Sequence, residues 1–105
     1  MLWFRSNKTI DEFSSKLATD LARRYPPELE NDPSKQRNPE RLTKAFDSTF
    51  NRALDFHREH KLGVYGKARL GNTFRWQLKE LGYPEDFIKL ATRSLVNFIA
   101  TQRLR

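Results

Sequence analysis

Residues 38–63 read NPERLTKAFDSTFNRALDFHREHKLG, and the apolar positions in this stretch recur at helical intervals. Leu42, Ala45, Phe46, Thr49, Phe50, Ala53, Leu54 and His57 follow one another in steps of three and four, the signature of one buried face on an α-helix. Asn38 is a good N-cap, Pro39 suits the first helical position, and Glu40 stands where the positive end of the helix dipole favours an acid. At the other end Lys61 supplies a basic last turn, and Gly63 can take the left-handed cap. The pattern predicts a helix over 39–60, the longest in the chain.

Working outward toward the C-terminus, Val64, Ala68, Phe74, Leu78 and Leu81 suit a further helix, interrupted by Gly66 and Gly71. Two readings fit. Either a helix starts near Tyr65 and Gly71 lets a neighbour approach closely, or a loop ends at Asn72 as N-cap and the helix covers Thr73 to Leu81. The first gives a helix over about 65–81. Leu81-Gly82-Tyr83-Pro84-Glu85-Asp86 then reads as a helix end, a turn, and a new start with proline and two acids in its first turn. The last helix is expected over about 84–102, with Phe87, Ile88, Ala91, Leu95, Phe98 and Ile99 inward and Val96 at the edge.

Toward the N-terminus, residues 26–38 read PPELENDPSKQRN, with three prolines and a single large apolar residue, Leu29. This is a loop, and at about thirteen residues it is long for a bundle, so it is a tolerated surface linker, a functional segment or a packed strap. Before it, Ile10, Phe13, Leu17 and Leu21 mark a helix face that Tyr25-Pro26-Pro27 stops. Thr9-Ile10-Asp11-Glu12 has the form of a capping box, which starts that helix near residue 10. The whole is an all-α, compact four-helix bundle, with helices over about 10–24, 39–60, 65–81 and 84–102, in a single helical domain spanning 1–105.

Composition agrees with that class. The 105 residues are only 37% hydrophobic and mean hydropathy is -0.81, but eight Phe, two Trp and three Tyr gather the apolar area into large side chains. The absence of cysteine removes disulfides, thiol catalysis and cysteine-based metal sites. The opening Met1-Leu2-Trp3-Phe4-Arg5 is too short an apolar run for a secretory signal, and no stretch reaches the roughly 20 apolar residues that span a bilayer. A soluble cytoplasmic protein, without a membrane partner, is the expectation.

Charge is unevenly placed. Residues 1–60 carry 11 Lys/Arg against 10 Asp/Glu, and residues 61–105 carry 9 against 3, so +6 of the net +7 lies in the second part. Such a bias favours a polyanionic partner, set against the ordinary reading that many small proteins are basic. From Arg58 to Lys79 the cations Arg58, Lys61, Lys67, Arg69, Arg75 and Lys79 are interleaved with Tyr65, Phe74 and Trp76, and Glu59 is the only acid. Lys and Arg can neutralise phosphates while Tyr65 or Trp76 stacks on an unpaired base. Trp76 falls off the inward stripe of Phe74 and Leu78. It is expected either as an exposed contact residue or as a ring covered by Trp3 and Phe4.

FRWQLKELGYPEDFIKLATRSL, from Phe74 to Leu95, resembles a helix-turn-helix: a helix ending at Leu81-Gly82, the apolar Tyr83, then a second helix with Ile88 inward. The resemblance covers about a fifth of the chain and implies DNA contact through Lys89 and Arg93. It departs from the usual pattern at Leu78, where a small residue normally lets the helices cross, and at Gln77, normally apolar. Pro84, Glu85 and Asp86 also stand where base contacts would begin, and carboxylates there repel phosphates. The competing reading is an ordinary helical hairpin.

His57 and His60 share a helix face, but without a spaced third ligand they read as favourable partners of the helix dipole rather than a metal site. No phosphate-binding glycine loop or nucleophile motif occurs. The expectation is therefore no enzyme, no cofactor and no metal. It is instead a nucleic-acid-binding accessory protein using Arg58, Lys61, Lys67, Arg69, Arg75, Trp76 and Lys79, with Lys89 and Arg93, on DNA or RNA. The alternative is a protein-interaction adaptor or homodimer with Trp3, Phe4, Tyr65 and Trp76 in an exposed apolar patch.

Overall fold

The computed structural model describes residues 2–34 and 38–102, with side chains from Asn7 onward. It is all-α: α1 is Leu2–Arg24, α2 the single turn Glu28–Asn31, α3 Pro39–His60, α4 Val64–Glu80 and α5 Glu85–Thr101. The four long helices form the bundle. α1 packs on α4 and α3, α5 packs on α4 and α3, and the two remaining pairs lie across the bundle from each other. Successive long helices alternate in direction, so α1 and α4 run parallel side by side: Ile10 lies against Gly66, Ser14 bonds Leu70, and Tyr25 beyond the end of α1 is bonded by Tyr83 beyond the end of α4.

α3 begins and ends where its local chemistry dictates. The Asn38 side chain accepts a hydrogen bond from the Arg41 amide at 3.1 Å, with Pro39 at the first helical position. Its last turn differs from expectation in one respect. Lys61, at φ 50°, takes the left-handed cap and donates its amide to the His57 carbonyl at 2.6 Å, whereas Gly63 is extended and starts α4. The left-handed turn comes at the helix end itself, and Gly63, two residues beyond Lys61, lies past it as the extended N-cap of α4.

α1 also departs from expectation, because it starts at Leu2 and passes through Thr9 without a cap. No Pro or Gly separates Leu2 from Thr9, and extending a formed helix costs far less than starting one. α4 follows the first of the two readings, a continuous helix through both glycines. A Cβ added at Gly71 would stand 2.8 Å from Val96 Cγ2, so the glycine is what lets α4 and α5 touch there.

Gly82, at φ 97°, closes α4 in a Schellman motif: its amide donates to Lys79 at 3.1 Å and the Tyr83 amide to Leu78 at 3.2 Å. The segment after α1 is a packed strap. Leu29 rests on the core, the Tyr25 hydroxyl donates to Glu30 at 2.6 Å, and the Asn31 amide side chain donates to the Gly82 carbonyl at 2.7 Å. The Tyr83 hydroxyl donates to the Tyr25 carbonyl, tying the α4–α5 turn to the end of α1.

The core is one continuous cluster, with Leu17, Leu21, Tyr25, Leu70, Phe74, Leu78, Phe87 and Leu95 sealed from solvent. Phe87 is its hub, stacked on Tyr83 at 4.6 Å and Tyr25 at 5.6 Å and tilted against Phe46 at 6.1 Å. Each such side chain contributes about 1.5–3 kcal/mol by burial alone, so a few large rings can hold a polar chain together. The buried Asp20 carboxylate is satisfied by Arg24 at 3.1 Å, Arg52 at 3.2 Å and the Thr49 hydroxyl at 3.5 Å.

Candidate nucleic-acid interface

Packing fixes which side of α4 is free. Gly66, Leu70, Gly71, Phe74 and Leu78 are buried against α1 and α5, so the opposite strip carries Val64, Tyr65, Ala68, Asn72, Arg75, Trp76 and Lys79, all exposed. Trp76 stands between its two cationic neighbours, with Arg75 Cζ 5.7 Å and Lys79 Nζ 5.3 Å from its ring centroid. At these distances both charges are drawn to the negative face of the indole. The alternative cover by Trp3 and Phe4 concerns side chains outside the described residues.

α5 adds to the same face. Arg75 Nη2 is 3.9 Å from Glu85 at the start of α5, and Val96 touches α4 at Gly71. Lys89 lies on the strip of α5 between those two contacts, one turn beyond Glu85, and Arg93 follows one turn later; both are exposed. Arg75, Trp76 and Lys79 are thus gathered with Lys89 and Arg93 along the α4–α5 hairpin.

The other cations named from the sequence are placed differently. Arg58 and Lys61 are exposed at the far end of α4, beside the α3–α4 corner. Lys67 is half-buried and close enough to His57 to act on its charge. Arg69 is engaged within the fold: its Nε and Nη2 donate to the two Asp11 oxygens at 3.0 and 2.8 Å, and its Nη1 donates to the Tyr65 hydroxyl at 3.2 Å. Thr73 donates to the same carboxylate at 3.0 Å. This fork holds the Asp11 carboxyl below its usual range and raises the already high pKa of Arg69. Arg69 is therefore a strut between α1 and α4. Its partner in sequence terms is 58 residues away, and only Tyr65, one turn back, was within reach of local reasoning.

The helix-turn-helix resemblance resolves into a helical hairpin. Helices that cross at ~90–120° part company soon after their turn, but α4 and α5 still touch at Gly71 and Val96, eleven residues to either side of Gly82 and Glu85. Leu78, the large residue in place of a small one, is fully buried in the core.

The histidines are structural in kind. His57 is buried, and its Nδ1 accepts the Leu62 amide at 3.1 Å, which fixes the ring as the neutral form with its proton on Nε2. Burial, and secondarily the charge of Lys67, pushes its pKa down. His60 rests on Phe56 with ring centroids 4.3 Å apart. Among the described residues no three His, Asp or Glu side chains gather as metal ligands, and no helix is long and apolar enough to cross a membrane. Set against family models, curated proteins and solved structures, the chain gives no match.

Proposed function

We propose that this chain is a nucleic-acid-binding accessory protein that contacts phosphates through the outer face of the α4–α5 hairpin. One arrangement carries the reading: Arg75, Lys79, Lys89 and Arg93 are exposed together on adjoining helices, in the part of the chain that holds +6 of the net charge. Three exposed acids, Glu80, Glu85 and Asp86, flank them at the turn, and Glu85 reaches Arg75 only at 3.9 Å with both side chains about half exposed. Such a surface pair is worth at most about 1 kcal/mol, so a phosphate can displace it. Arg58 and Lys61 provide secondary contacts for a longer ligand, and Arg69 leaves the contact set because Asp11 occupies it.

A second reading has its own observation. Among the described residues Val64 and Tyr65 are the most exposed large apolar side chains, and Tyr65 borders a cleft of about 260 Å³ lined also by Ile10, His60, Leu62 and Gly66, which a protein partner or a second copy of this chain can cover. Titration of labelled DNA and RNA at about 50 and 200 mM salt separates the two. Binding to phosphates weakens steeply between those concentrations, and the absence of binding at the lower one overturns the proposal.

A further inference from the structure

Resting on that reading, we infer that the nucleic acid taken by this face is unpaired, with its bases stacked on Trp76 and Tyr65 and its phosphates on the neighbouring cations. The two rings are 61% and 50% exposed, for Tyr65 and Trp76 respectively. They are eleven residues apart on one helix, so they stand about 16 Å apart along its axis and only about 20° apart around it. Between them on this strip lie the small exposed residues Ala68 and Asn72, with the Arg69 side chain, about a third exposed and held back by Asp11, along the α1 side.

Both rings are set in place. Arg69, clamped by Asp11, donates to the Tyr65 hydroxyl at 3.2 Å and fixes the phenol at the start of the path. Trp76 has two cations, Arg75 and Lys79, within 6 Å of its ring centroid. When a phosphate draws Arg75 or Lys79 outward, the indole face they cover becomes free for the base attached to that phosphate. Base and phosphate sites therefore lie one nucleotide's width apart.

A duplex makes no use of this arrangement. Its base faces are already stacked, so a helix lying in its groove would meet base edges and phosphates with Asn72, Arg75 and Lys79 and leave the faces of Tyr65 and Trp76 without a partner. Unpaired bases present free faces of any sequence to an aromatic ring.

The test uses the full chain with Trp3→Phe, which leaves Trp76 as the single tryptophan. Single-stranded dT and U oligonucleotides, a duplex of equal length, and inorganic polyphosphate are titrated in turn. The expected result is quenching of Trp76 fluorescence by the single strands and none by polyphosphate, with single strands bound more tightly than duplex. Trp76→Ala then weakens single-strand binding about tenfold, in the range of one lost stacking contact, while Trp76→Phe retains most of it. Duplex bound as tightly as single strand, with no quenching, overturns this inference and leaves the phosphate-binding reading in place. If no oligonucleotide binds at low salt, the proposed function itself has failed, and the inference with it.

Discussion

Burial of His57 couples a proton to the α3–α4 corner. The neutral ring accepts the Leu62 amide, and a protonated ring would present a donor to that donor in a buried site beside Lys67. Because the folded pKa lies below the unfolded value of about 6.5, the stabilisation is complete above that pH and declines as pH falls through the folded pKa. Urea midpoints at about pH 7.5 and 5.5 should therefore drop for the wild type and drop less for His57→Gln; parallel declines contradict the account. The adjacent Lys61 carries a left-handed backbone that a glycine adopts freely, so Lys61→Gly is expected to raise stability by about 0.5–1 kcal/mol in the same measurement. The burial of His57 was legible from helical spacing. The left-handed Lys61 was not, because the nearby Gly63 offered a conformationally cheaper residue in the wrong register.

Helices announced themselves where their ends are written locally. α3 matched its reading at both bounds because Asn38, Pro39 and the basic last turn act within a few residues of themselves. α1 did not, because Thr9-Ile10-Asp11-Glu12 is a valid cap only if the chain before it is not already helical. The sequence left two readings for α4, and the deciding contact was tertiary: Gly71 against Val96. Gly71→Ala gains about 1 kcal/mol of helix propensity but forces a methyl into a stiff β-branched neighbour, at a cost of about 1–3 kcal/mol. Net destabilisation of about 1 kcal/mol is expected, and Val96→Ala should reverse its sign in a double-mutant cycle read by denaturant unfolding. A Gly71→Ala that stabilises with Val96 in place would show that the two helices are farther apart than described. Tyr83→Phe, which removes the hydroxyl tie to Tyr25, should cost about 1 kcal/mol in the same assay.

At the scale of the whole molecule, charge is the property that sequence conveyed best and location the one it conveyed least. The excess in residues 61–105 was countable, and periodicity placed Trp76 outside the core. Which cations share a face depended on how α5 lies along α4, and Arg69 left the set through a carboxylate 58 residues away. That outcome shapes the choice of variants, since reversing Arg69 would break the α1–α4 strut and confuse folding with binding. The most direct measurement compares two charge reversals of equal size, Arg75→Glu/Lys79→Glu on the α4–α5 face and Arg23→Glu/Lys44→Glu on exposed positions of α1 and α3. Each lowers the net charge of +7 by 4, to +3. Oligonucleotide affinity at about 50 mM salt, with its fall toward 200 mM, is read for both. A site on α4–α5 predicts loss of binding and a shallower salt slope in the first variant, with the second close to wild type; equal losses in both would mean that diffuse net charge, and not this face, holds the nucleic acid.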